Sequence, residues 1–182
     1  MIINKYRTFW RRFWAGWVDA IVFLPPYIAY IWIWKYHLTI PVFFLIIWHA
    51  AYSVAWYIYS IWLHGKYGQT IGKMLLKVKV MDVSEIKSLR YSQALRRDIV
   101  PLGITVALLP YELYKIAIGQ FYMADPAIPP DKVSLAISFV MVGWCVLEMV
   151  TMLFSRRRRA IHDFIAGSVV IRMVPTKDSS VR

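Results

Sequence analysis

Four stretches of this chain stay apolar for long enough to cross a bilayer, which takes about 20 residues of helix. They are residues 13–34, 40–63, 99–121 and 133–154. The third is the most interrupted, because it holds Pro110, Glu112 and Lys115. The 64–98 connection carries a different pattern. Ile71, Met74, Leu75 and Val78 recur at helical spacing, with Lys73 and Lys77 on the other side. This predicts a short amphipathic helix lying in the headgroup plane. Val78 to Met81 then alternates with period two, and a turn near 82–86 followed by a return at 88–91 would close a β-hairpin. A further strand-like run covers Val169 to Val174. The expected fold class is an all-α membrane protein: four transmembrane helices with a small cytoplasmic amphipathic helix and a β-hairpin. One domain is expected over 1–175, followed by a disordered tail at 176–182.

Composition agrees with this pattern. The chain is 59% hydrophobic and 16% aromatic, whereas a soluble domain is about 45–50% apolar. Its net charge of +12 would point to nucleic acid in a soluble protein. Here the charge lies in blocks between the spans, so anionic lipid head groups are the expected partner. One block is Lys5, Arg7, Arg11 and Arg12. A second runs from Lys66 to Arg97. A third holds Arg156 to Arg159, Arg172, Lys177 and Arg182, while the other two connections carry only Lys35 and Lys132. Basic loops stay inside, so both termini and the 64–98 loop are expected in the cytoplasm of a multi-pass inner-membrane protein. Trp32, Trp34 and Tyr36 suit an outer aromatic belt, and Tyr57, Tyr59 and Trp62 an inner one. Cys145 is the sole cysteine, so no internal disulfide forms.

Charges inside the spans are the candidate chemistry, because each costs about 2.5–3.5 kcal/mol at a helix centre on insertion scales. Asp19 is the only charge in residues 13–34. Arg12 precedes it by almost two helical turns, on the same face about 10 Å away. Glu148 reaches a similar depth from Arg156, so Asp19 and Glu148 are expected to form an inner polar level with Arg12 guarding it. His49 and Glu112 form an outer level. Spaced carboxylates of this kind could serve a path for protons or monovalent cations. The alternative is that each acid finds a hydroxyl, a lysine or backbone and holds the bundle together.

Other chemistries are excluded by their missing residues. The run GQTIGK fails as a phosphate loop: Tyr67 stands at the required glycine and Met74 at the Mg²⁺-binding hydroxyl. His49 and His64 lie on one helix about 22 Å apart and cannot share a metal. There is no HExxH, CxxC or nucleophile elbow, so neither a cofactor nor enzyme activity is expected. Asp163 is expected to cap a helix or pair with an arginine such as Arg12 or Arg96, and adjacent His162 is not expected to face it. Gly68, Gly72, Lys73, Lys77, Arg96 and Arg159 are read as structural or lipid-facing.

Three motifs together carry a resemblance: RRFWAGWVD at 11–19, GQTIGKMLLKVKVMD at 68–82 with SQALRR at 92–97, and RRAIHDFIAGSVVIR at 158–172. In order and spacing the chain resembles the RDD family of bacterial membrane proteins, named for an arginine and two aspartates. The matching residues are Arg12, Asp19 and Asp163. The hairpin departs from the family pattern, with VSEI where a glycine is usual. Some members are described as cation/proton antiporters, so the resemblance implies a small transporter exchanging monovalent cations for protons. Four spans rarely enclose a pathway alone, and a homo-oligomer is expected. A non-catalytic scaffold, binding anionic lipid or a protein through its basic face, is the alternative.

Overall fold

The structure is a computed structural model that describes residues 5–35, 41–120 and 128–173. Its elements in chain order are α1 (Phe9–Lys35), α2 (Val42–Tyr67), α3 (Ile71–Leu75), β1 (Val78–Asp82), α4 (Tyr91–Ala117), α5 (Lys132–Phe154), α6 (Ile161–Ala166) and β2 (Ser168–Arg172). Helices α1, α2, α4 and α5 are each long and apolar enough to cross a membrane. The short elements gather at one end of the bundle, called the sheet end below. The expected tail at 176–182, Val174, Tyr36 and the side chain of Trp34 lie outside the described residues.

Helix limits follow capping rather than hydropathy. Helix α2 runs past residue 63 to Tyr67 and stops at Gly68, whose left-handed φ of 70° lets its N–H reach the His64 carbonyl. A Cβ there would also sit 2.6 Å from the Val80 carbonyl oxygen. Helix α4 begins at Tyr91, well before the apolar stretch at 99. Gln93 holds that first turn: its Oε1 accepts from Arg90 N at 3.1 Å and its Nε2 donates to Asp82 at 2.7 Å. Ala94 and Arg97 are buried on the same face, while Arg96 points outward.

The strands correct the hairpin expectation. Residue Ser88 does return to Met81, but as a single bridge. The true partner of β1 is β2, antiparallel, with Val80 opposite Val170 and Asp82 opposite Ser168. Their inner side chains Val78, Val80 and Val170 pack with Leu89 and Ala94 in one apolar cluster against Ile61. The sheet therefore ties the 68–90 loop to the C-terminal segment and seats both on α4.

Helix α5 is fixed at its two ends. At the far end Asp131 caps it through Ser134 N and accepts from Tyr111 at 2.5 Å and Lys115 at 3.0 Å. At the sheet end Glu148 pairs with His162 of α6. Between them Phe139, Val140 and Val142 are exposed, the outward face expected of a helix surrounded by lipid. Of the three residues assigned to an inner belt, only Trp62 faces outward; Tyr57 and Tyr59 turn inward to hydrogen-bond partners.

Candidate functional site

Polar side chains collect at two levels, and the level at the sheet end is built around two aspartates. Asp163 is fully buried at the third position of α6. Its Oδ2 accepts from Arg12 at 2.8 Å and from the Ala160 N–H at 3.0 Å. Its Oδ1 accepts from Arg97 at 2.7 Å and from the Ser168 hydroxyl at 3.1 Å. Burial alone would raise this carboxyl, but the Arg12 and Arg97 guanidiniums hold it well below the usual carboxylate range. The expected cap and the Arg12 pairing are both present; the second arginine is Arg97, one residue beyond Arg96.

His162 completes the cluster. Arg12 and Arg97 both bring guanidinium nitrogens to its Nε2, at 3.2 and 2.9 Å. Guanidiniums only donate, so Nε2 is the acceptor and the proton sits on Nδ1. That Nδ1 lies 2.7 Å from Glu148, whose other oxygen accepts the His162 backbone N–H at 3.1 Å. Burial, with Arg97 and Arg12 nearby, pushes the imidazole below its ordinary value. The expectation that His162 and Asp163 do not face each other is corrected: Nε2 lies 3.5 Å from Asp163 Oδ1 because both turn toward Arg97.

Asp19 stands apart from this cluster. It is 3% exposed and accepts from the hydroxyls of Tyr59 and Thr70, each at 2.6 Å, and from the Gly72 N–H at 2.7 Å. The Tyr59 oxygen in turn accepts from Ile71 N at 3.0 Å. Thr70 also caps α3. Asp19 therefore fastens α3 onto α1 and α2. The run GQTIGK is the matching half of that fastener, with Gly72 so close that a Cβ would lie 2.1 Å from the Ala15 carbonyl oxygen. The expected inner level of Asp19 and Glu148 under Arg12 does not form: Asp19 bonds to the 70–72 turn, Glu148 to His162, and Arg12 to Asp163. Each acid took the donors nearest to it, and those lie on different elements.

The lipid-facing set also divides. Lys77 and Arg96 are exposed, as are Ile71, Met74 and Leu75. Gly72 is buried. Arg159 is engaged by protein, donating to the Ser168 and Asp163 carbonyls at 2.9 Å each and lying over the Phe164 ring. Lys73 turns inward to His64 Nε2 at 2.8 Å, while His64 Nδ1 donates to the Ser60 carbonyl. Burial, reinforced by Arg97, brings the Lys73 amine down to about 7. The unfolded chain then binds more protons than the folded one between about pH 7 and 10.5, so stability should rise with pH across that window. Thermal melting of the detergent-solubilised protein at pH 7 and pH 9.5 should show the rise. Lys73→Met should flatten it, and an unchanged slope in that variant would place its origin elsewhere.

The second level lies among the spans toward the far end. His49 of α2 and Glu112 of α4 meet at 3.0 Å, the outer pair expected from the sequence. They line a cavity of about 360 Å³ between α1, α2 and α4. Its walls are aromatic: Phe23, Tyr27 and Tyr30 from α1, and Tyr52, Trp56 and Tyr57 from α2. Tyr27 and Tyr52 stack at 6.2 Å, and Phe23 meets Trp56 edge-on at 5.2 Å. Glu112 is the one acid among the lining residues.

Reading the sequence missed Arg97, Tyr59, Thr70 and this aromatic wall. A signal existed for Arg97, since Gln93 and Arg97 share a helix face four residues apart. None existed for Tyr59, because its partner lies on another helix. The model of the RDD family matches residues 6–167 of the chain. No curated protein and no solved structure matches it.

Proposed function

The chain belongs to the RDD family, and from its two polar levels we infer a small transporter that exchanges a cation for a proton. The observation that carries this reading is the His49–Glu112 pair, an acid and a base 3.0 Å apart on membrane-spanning helices and open to a cavity. A carboxylate that deep is costly to keep charged and unpaired. A proton shared with His49 lowers that cost, and a cation arriving beside Glu112 favours release of the proton. The sheet-end level supports the reading by contrast. Asp163 and Asp19 are saturated by fixed donors and suit a rigid frame. Both chain ends and the sheet are assigned to the cytoplasm of an inner membrane, supported by the basic blocks. Helices of one chain wall the cavity, and a route to both membrane faces is expected to need a second copy.

Purified protein in liposomes loaded with a proton-sensitive dye tests the reading. An imposed cation gradient should drive proton flux, and Glu112→Gln should reduce it by about a hundredfold or more, the scale of losing a positioned acid–base group. Equal flux from Glu112→Gln, at equal folded protein, would contradict it. The alternative of a scaffold for anionic lipid is supported by a basic cleft of about 640 Å³ beside Arg7, Arg156 and Phe154. That alternative predicts no flux at all and a vesicle affinity that depends on phosphatidylglycerol content.

A further inference from the structure

We propose that the cavity between α1, α2 and α4 is a binding site for a small organic ammonium ion, held by aromatic faces and by the Glu112 carboxylate. The proposal rests on the transport reading above only for what the bound cation then does. Binding itself is argued from the lining. At about 360 Å³ the space falls at the small end of ligand pockets, which run from about 300 to 1,000 Å³. That is room for a compact molecule rather than a bare ion.

A bare alkali ion would need several oxygens to replace its hydration shell. Four of the hydroxyls lining this site, those of Tyr52, Ser53, Tyr57 and Thr105, are already committed to protein. Tyr52 donates to the Phe23 carbonyl at 3.2 Å, Ser53 donates to the His49 carbonyl at 2.8 Å, and Tyr57 bonds Thr105 at 2.8 Å. Those bonds turn the polar edges of Tyr52 and Tyr57 toward backbone and neighbour and leave ring surface to the cavity. Aromatic faces attract cations, most strongly where water is excluded, and ammonium ions in aromatic cages are the common use of that attraction. With the shared proton released and His49 neutral, the Glu112 carboxylate balances one positive charge. A neutral ligand of the same shape would gain the apolar contact but not the charge pairing, and an anion would meet Glu112 as repulsion.

Tetraethylammonium is the probe. Isothermal titration into purified protein in nanodiscs should show saturable binding, competed by benzyltrimethylammonium but not by its neutral carbon analogue neopentylbenzene. Glu112→Gln should weaken binding at least about tenfold. Tyr52→Leu, which removes a ring face, should weaken it by about five- to thirtyfold, the span between an exposed and a desolvated cation–π contact. Tyr52→Phe keeps the ring and loses only the hydroxyl bond to Phe23, so it should bind nearly as well as the natural protein. This trio separates a cage from a merely structural tyrosine. Absence of tetraethylammonium binding, or equal binding by Tyr52→Leu and Glu112→Gln variants that remain folded, would overturn the proposal. The flux assay then separates the two readings. Sodium-driven proton flux that needs Glu112, without tetraethylammonium binding, would sink the organic cation and leave transport standing. Caged tetraethylammonium binding without any proton flux would do the reverse.

Discussion

Asp163→Asn should be the most damaging single-atom change in this chain. The amide can still take the Ala160 N–H, but it leaves Arg12 and Arg97 facing each other in a buried site without the carboxylate that both of them contact. Removing one partner from a buried ion pair costs about 3–5 kcal/mol, because the remaining charge stays desolvated. Two guanidiniums share this carboxylate, so the upper part of that range is expected. The same carboxyl works in the folded state as an ion held far below its ordinary value. Its contribution is therefore complete above the unfolded value of about 3.9 and fades only as pH falls toward the much lower folded one. Yield of folded protein and melting temperature at neutral pH check the loss. In a double-mutant cycle, Arg12→Gln should cost less in the Asp163→Asn background than in the natural chain. Strict additivity would mean that Arg12 and Asp163 are not coupled as the 2.8 Å contact requires.

Gly72→Ala should be nearly as severe by a different route. A Cβ at this position meets the Ala15 carbonyl oxygen at 2.1 Å and the Asp19 carboxyl carbon at 3.0 Å. The first of these is helix backbone, which has little freedom to yield, so α3 must lift away from α1. Overpacking of this kind costs about 1–3 kcal/mol. Lifting also lengthens the Gly72 N–H bond to Asp19, and a bond to a charged acceptor adds about 1.5–3 kcal/mol. The test is protease accessibility of the 68–76 turn in membranes, which should increase sharply. Gly16→Ala, next to Ala15 on α1 but exposed and with no atom within 4 Å, should change nothing. Equal protection of both variants would show that α3 does not dock as closely as described.

Much of this architecture was readable in the chain, and the unread parts share a physical cause. Four spans and the basic blocks are local properties, and the four long helices fall where the apolar runs are. The start of α4 was hidden because hydropathy registers lipid-facing residues, whereas Gln93 and Arg97 face protein. The pairing of Val80 with Val170 joins segments about 90 residues apart, and alternation in a strand does not name its partner. The same limit applies to the acids. Sequence shows that Asp19 must have partners, since lipid offers none, but not that Tyr59, Thr70 and Gly72 supply them. Depth along the spans was a better guide for His49 and Glu112, because α2 and α4 pack against each other directly and residues at matching depth meet.

The central claim is a division of labour: acids at the sheet end hold the frame, and the acid at the cavity carries the proton. Cation-driven proton flux, measured per folded molecule in the same liposomes for Asp19→Asn and Glu112→Gln, tests it most directly. Asp19→Asn should fold less well, because one of its three donors would face an amide nitrogen, yet each folded molecule should transport normally. Glu112→Gln should fold well and lose coupled flux. Loss of flux in folded Asp19→Asn with full flux in Glu112→Gln would contradict the account.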